Sequence, residues 1–309
     1  MGQKVNPISL RISDRSSESW LSSWHSADNF KKFLHEDIKI RSFLKGFASY
    51  QKLYLSDVYI WRPTRSLEFT PLSVAEVQPS VELKKPSLHI YFQLFFPLKK
   101  HNYMSSWEEK NAYFRKIEYD LRMYLNDLFD DSYSIFLVID PILENESIRV
   151  QSISGTNDES GFDKNDDLLS NYLREDQKDI EFLIRWLLQK DSTFIAQWFA
   201  DEIQKRRGIR DLLKKIDKAY LFLKEMEQIE SFVRNSRYFI KGIKVSVSGR
   251  FLMTDNEKRR NKMARIKHHK QGRISLHTLK ENISYSHDVA YTVDGTSGVK
   301  VWICYDIRC

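Results

Sequence analysis

The sequence predicts an α+β protein of two domains, and three observations lead to it. At 309 residues and 41% hydrophobic content, the chain can bury more than one core. Two blocks that mix helical with strand periodicity flank an acidic, polar stretch over residues 143–191, which reads as a partly disordered insertion. Charge is divided between the ends: residues 205–308 hold 24 Lys and Arg against 11 Asp and Glu, a net of +13 that leaves about −6 elsewhere.

In chain order, residues 1–28 open with "MGQKVNPISLRISDRSSESWLSSWH", which lacks sustained periodicity and predicts an extended arm. The first domain follows over 29–142. Phe30, Phe33, Leu34, Ile38, Ile40, Phe43, Leu44 and Phe47 fall mostly at helical spacing. "YLSDVYIW", closed by Arg62 and Pro63, predicts a strand, and "LHIYFQLFF", closed by Pro97, another. "SWEEKNAYFRKIEYDLRMYLNDLF" predicts a helix with a serine cap, and "YSIFLVID" a further strand.

The second domain spans 192–309. From 193 to 236 the pattern is helical: Ile209, Leu212, Leu213, Ile216, Tyr220 and Leu223 share one side at about 100° per residue. Arg206, Arg207, Arg210, Lys214 and Lys218 form a basic stripe roughly 140° away, with Asp217 inside it and Asp211 beside it. "KGIKVSVSGR" at 241–250 alternates Ile243, Val245 and Val247 with Lys244, Ser246, Ser248 and Arg250. One face belongs to a core, and the other offers small hydroxyls between cations. A basic run follows, so that residues 241–280 carry 12 basic side chains and two acids, Asp255 and Glu257, a field that attracts phosphate. "RISLHTLKENISYS", "HDVAYTVDG" and "SGVKVWICY" complete an antiparallel sheet.

Several chemistries find no support. The chain has no P-loop, no H-E-x-x-H and no dinucleotide fingerprint. Cys304 and Cys309 are the only cysteines, so neither a disulfide framework nor a zinc ligand set is expected. His268 and His269, adjacent on a strand, point to opposite faces and belong to the basic surface rather than to one metal. Ser275 and His277 share a strand face, but no acid orients the histidine. Gly295 to Gly298 match G-x-x-G but precede a strand-like segment, so they read as a hairpin turn. No run of 18 apolar residues exists, and no cofactor, metal or membrane partner is expected.

Four ordered segments carry a resemblance. "MGQKVNPISLRI" at 1–12, "KGIKVSVSGR" at 241–250, "GRISLHTLKENISY" at 272–285 and "GVKVWI" at 298–303 resemble the universal small-subunit ribosomal protein number three. The resemblance implies a degenerate type II KH-like N-terminal domain, and a C-terminal α/β domain with a long helix on a mainly antiparallel sheet. It also implies a place on the small-subunit head, touching rRNA, mRNA at its entry channel and neighbouring head proteins. By position, Gln3, Lys4, Asn6, Pro7 and Arg11 of the arm would contact rRNA or neighbouring proteins. Lys244, Ser246, Ser248, Arg250, Lys267, Arg273, His277 and Lys280 would face rRNA. "QKRRGIRDLLKK" resembles the family's mRNA-facing helix, implying that role for Arg206, Arg207, Arg210, Lys214 and Lys218.

The KH-like domain is degenerate because "FPLKKHNYMSSWEEKN" stands where the family has its glycine loop; Lys99, Lys100 and His101 remain as phosphate contacts. The insertion, the extra "MTDNEKRRNKM" after Arg250 and "NPISLRISDRSSESW" resemble mitochondrially encoded members. A start at the family's own arm fits synthesis in the mitochondrial matrix. The expectation is therefore a non-enzymatic constituent of a mitochondrial small ribosomal subunit. The alternative is a free KH-type regulatory binder of single-stranded RNA.

Overall fold

A computed structural model describes residues 5–12, 20–26, 28–62, 86–95, 107–129, 132–142, 177–227, 238–254 and 263–307. The chain divides into two compact units, one of Trp20–Asn145 and the other of Met1–Ser19 with Glu146–Cys309. Helices and sheets are mixed in both, as expected of an α+β chain. Gln3, Lys4, Lys99, Lys100, His101, Cys309 and most of the acidic insertion lie outside the described residues.

In the unit Trp20–Asn145, α2 (Phe30–Gln51) and α3 (Trp107–Leu128) cover one face of a sheet. Its strands are β1 (Ser22–Ser23), β2 (Tyr54–Leu55), β3 (Tyr59–Trp61), β4 (Ser87–Phe95) and β5 (Ser134–Ile142). The expected "YLSDVYIW" strand is thus two short strands, both antiparallel to β4, which pairs with β5 in parallel on its other edge. Ile40, Leu44 and Ala48 of α2 and Ile117, Leu121 and Leu125 of α3 repeat every four residues. They close over Leu88, Ile90, Phe92 and Leu94, the inward positions of β4. α2 stops where Lys52 takes a left-handed conformation and caps the carbonyls of Ala48 and Ser49.

A buried ionic cluster joins the entry segment to this unit. Arg62 pairs with Asp37 and Glu36, Ser22 and the Trp24 indole donate to Asp37, and Tyr133 donates to Glu36 at 3.0 Å. Residues 20–26, assigned to the extended arm by their lack of periodicity, are therefore built into the first unit through β1, which pairs in parallel with β3.

The other unit starts with α1 (Pro7–Arg11), a helical turn inside the segment expected to be extended; Asn6 caps it by accepting from the Ile8 amide at 2.9 Å, and Pro7 occupies N1. Its sheet is fully antiparallel, in the order β7-β6-β9-β8, from β6 (Tyr238–Gly249), β7 (Arg265–Gly272), β8 (Asn282–Thr292) and β9 (Gly295–Ile307). Three helices belong to it: α4 (Gln177–Leu188), followed by α5 (Ser192–Gln204) and α6 (Ile209–Met226), which divide the helical run expected from 193.

α4 falls in the part of the sequence assigned to the acidic insertion. Its "IEFLIRWLL" buries Ile180, Leu183, Ile184, Trp186 and Leu187, so residues 177–191 belong to the core-forming chain. α6 buries the predicted apolar side and also Lys215, which is paired with Asp179 of α4 at 2.8 Å. Among the described residues, no helix is long and apolar enough to cross a membrane.

Candidate nucleic-acid interface

The alternation of β6 divides its side chains between two surfaces. Ile243, Val245 and Val247 are each 1% exposed and lie on the helix side. Lys244, Ser246 and Ser248 lie on the other side, and the register places three rows across all four strands. The first row is Lys270, Lys244, Trp302 and Tyr285. The second is His268, Ser246, Lys300 and His287. The third is Ile266, Ser248, Gly298 and Val289. These twelve positions include three lysines and two histidines and no Asp or Glu.

Small residues sit in the middle and long cations around them. Ser246 is buried between its neighbours, while His268, Lys270, Lys300 and His287 are exposed. The Ser248 hydroxyl donates to the Gly298 carbonyl at 3.3 Å, so a bulky residue there would stand above the face. Lys244 lies with its Nζ 5.2 Å from the centre of the Trp302 ring, which in turn packs on Tyr285. The result is a flat cationic field with an aromatic border. Lys270, Lys300, His268 and His287 belong to it although the sequence pattern did not single them out as site residues. Their strand parity was readable, but the pairing that aligns four separate strands was not.

Two expected members leave this face. β6 ends at Gly249, where φ is +127° and a Cβ would meet the Thr296 carbonyl at 2.7 Å. Arg250 therefore turns off the strand and donates to the Asp294 carbonyl at 3.1 Å. Lys267 pairs with Val247 and so lies on the helix side. His269 does the same and is bonded to Asp217 of α6 at 2.6 Å, whereas His268 faces the other way. The two histidines thus occupy opposite faces, as alternation requires.

Arg11, expected to contact rRNA or neighbouring proteins, is also bonded within the chain. It is 6% exposed, and its guanidinium donates to the carbonyls of Glu281 (2.8 Å), Leu276 (2.9 Å), Thr278 (2.9 Å) and Pro7 (3.0 Å). Burial lowers its pKa from the usual value. Four of its five N–H donors are engaged by these backbone carbonyls. These bonds fix the 273–281 connection, whose side chains Arg273, His277 and Lys280 are exposed. That connection, expected as strand, is a chain of turns; Ser275 and His277 therefore do not share a strand face. Under it, Cys304 is fully buried, and burial together with the Glu281 hydrogen bond pushes its thiol up to about 12.

The basic stripe is divided as well. α5 ends at Gln204, Arg206 is left-handed at φ 65°, and Gly208 caps α6. Only Arg210, Lys214 and Lys218 ride on α6; Arg206 and Arg207 belong to the preceding turn, where Arg207 and Lys205 approach the buried carboxylate of Glu202. All five remain exposed on the helix side of the sheet, and Lys214 pairs with Asp211 at 3.1 Å. The helical period ran through this turn unbroken in the sequence, but backbone geometry interrupts it. The Gly295–Gly298 match also moves: the two-residue turn is Val293 and Asp294, and Gly295 begins β9. Among the described residues, no group of three His, Cys, Asp or Glu could hold a metal ion.

The sequence is similar to known proteins over this unit and beyond it. Residues 212–303, from α6 through most of β9, match the sequence model described as ribosomal protein S3, C-terminal domain. Over 303 residues, 98% of this chain, it is 24% identical to the small ribosomal subunit protein uS3 of Rhodospirillum centenum, with 89% of that protein covered. It is 23% identical over 303 residues to the protein of the same name from Kosmotoga olearia, covering 98% of this chain and 94% of that one. The uS3 of Myxococcus xanthus is 23% identical over 304 residues, with 98% and 92% covered. The chain is thus similar to ribosomal protein S3 in its C-terminal part and to uS3 proteins over nearly its whole length.

Proposed function

We propose that this chain is a non-enzymatic, rRNA-binding constituent of the small-subunit head, and that the open face of the β7-β6-β9-β8 sheet is its main RNA contact. The observation that carries this reading is the set of rows holding Lys244, Lys270, Lys300, His268 and His287 without an acid among them. Rigid strands fix these cations at the spacing of the ladder, so folded RNA can pack against them by phosphate neutralisation rather than by base readout. Arg273, His277 and Lys280 extend the field from the connection that Arg11 holds.

The opposite side of the same unit suits a second polyanion. Arg206, Arg207, Arg210, Lys214, Lys218 and, by its register, Lys267 form a looser basic surface interrupted by Asp211 and Asp217. Weak and unspecific contact there fits an mRNA that must slide through an entry channel. The order of helix, three strands, helix and strand in the first unit, with short β2 and β3 standing for one expected strand, supports a degenerate KH-like domain. The polar expansions at 143–176 and after Arg250 support a mitochondrial particle; the relatives named above are bacterial.

Sedimentation of the tagged full-length chain tests the reading. It should travel with the small subunit and resist a salt wash. Recovery mainly outside that fraction would refute the ribosomal role and favour a free RNA-binding regulator.

A further inference from the structure

The unit Trp20–Asn145 also turns rows of one sheet face to solvent, although Tyr54 and Phe95 at one end of that face are buried, and the exposed rows have a chemistry of another kind. The inward positions of β3, β4 and β5 are covered by α2 and α3, which leaves the alternate positions outside. The register aligns Ser23, Trp61, His89 and Phe136 in one row across four strands, and Tyr59, Tyr91 and Val138 in the next. Trp61 and Phe136 are each 51% exposed, Val138 54% and Tyr91 39%. The His89 ring stacks on Phe136 with centroids 4.7 Å apart and lies 4.8 Å from Trp61, so the row is a continuous aromatic ladder.

These two rows contain no Lys, Arg, Asp or Glu, in a chain that is 29% charged. An aromatic surface of this extent is unfavourable in water unless something covers it. Bases could stack on the rings, but a bound strand brings a phosphate with each base, and the two rows supply no cation to meet it. The cationic sheet of the other unit shows how this chain equips a face for a polyanion, and here those groups are missing. Interface centres, by contrast, are enriched in Trp, Tyr and Phe and depleted of charge.

We infer that this aromatic face docks an uncharged, apolar surface of a neighbouring protein in the assembled subunit. The inference rests on the ribosomal reading above and assigns the first unit a protein partner where the second takes RNA. Trp61 and Phe136 are the anchors, and the His89 ring packs between them.

The test uses small-subunit particles carrying the full-length chain with p-benzoylphenylalanine in place of Phe136. Irradiation should link it to one small-subunit protein, identified by mass spectrometry. In particles that also carry Trp61→Glu the yield should fall about tenfold, the scale of one aromatic anchor, and Trp61→Phe should restore it. Links to rRNA, to a second copy of this chain, or to no other molecule would overturn the inference while leaving the ribosomal reading intact. A wild-type chain absent from the particle would overturn both.

Discussion

The two sheets of this protein each bury one face under helices and expose rows of the other, yet the exposed rows are chemically opposite. On β7-β6-β9-β8 the outward rows carry Lys244, Lys270, Lys300, His268 and His287. On β3-β4-β5 they carry Trp61, His89, Phe136, Tyr91 and Val138. The same pleat therefore serves two recognition modes, and side-chain type alone sets which. Net charge, +7 for the whole chain, hides this division completely.

The largest effect that could break the comparison comes from charge reversal. Lys244→Glu, Lys270→Glu and Lys300→Glu together should reduce affinity of the full-length chain for a small-subunit rRNA fragment by about a hundredfold or more at low salt. Filter binding measures it, and circular dichroism should show an unchanged fold, because all three side chains lie outside the core. The matched change on the aromatic face, Phe136→Glu with Val138→Glu, should leave RNA affinity within about threefold, the level of weak through-solvent repulsion. A comparable loss in both variants would erase the distinction between the faces.

Arg11→Ala is expected to act through structure. Removing the guanidinium strands carbonyls of residues 276, 278 and 281, at a cost of about 2 kcal/mol in stability, and amide exchange should accelerate within 273–281. RNA affinity should fall only as that connection loosens. If Arg11 touched phosphate directly, affinity would fall with no change in exchange. Smaller still is the effect of Arg210→Ala, Lys214→Ala and Lys218→Ala. Stability should stay within about 0.5 kcal/mol, as for other exposed positions, while translation of structured messages slows. Unaltered translation would remove α6 from the mRNA path.

Much of this arrangement was legible in the sequence because β6 and β4 alternate so regularly. Ile243, Val245 and Val247 had to share one face, and Lys244, Ser246 and Ser248 the other. What alternation within one strand could not supply was the register between strands, so His287 and Lys300 joined the site only when β8 and β9 were laid beside β6. The same missing register left the face of Lys267 open, and its pairing with Val247 puts it on the helix side. Arg11 and Arg206 escaped for different reasons. A charged residue in an aperiodic arm reads as solvated, and only the converging carbonyls of a distant loop make its burial favourable. The turn at 205–208 is set by a left-handed Arg206 and by Gly208, which a count of 3.6 residues per turn passes over. α4 was concealed because the polar composition of the residues before it was extended across an apolar stripe.

The most direct test of the RNA-binding face is the salt dependence of binding by the full-length chain. Each phosphate neutralised on a single strand contributes a slope of about −0.7 in log affinity against log salt. Replacing Lys244, Lys270 and Lys300 with Ala should therefore make the slope shallower by about 2. An unchanged slope in that variant would contradict the assignment of this face to RNA.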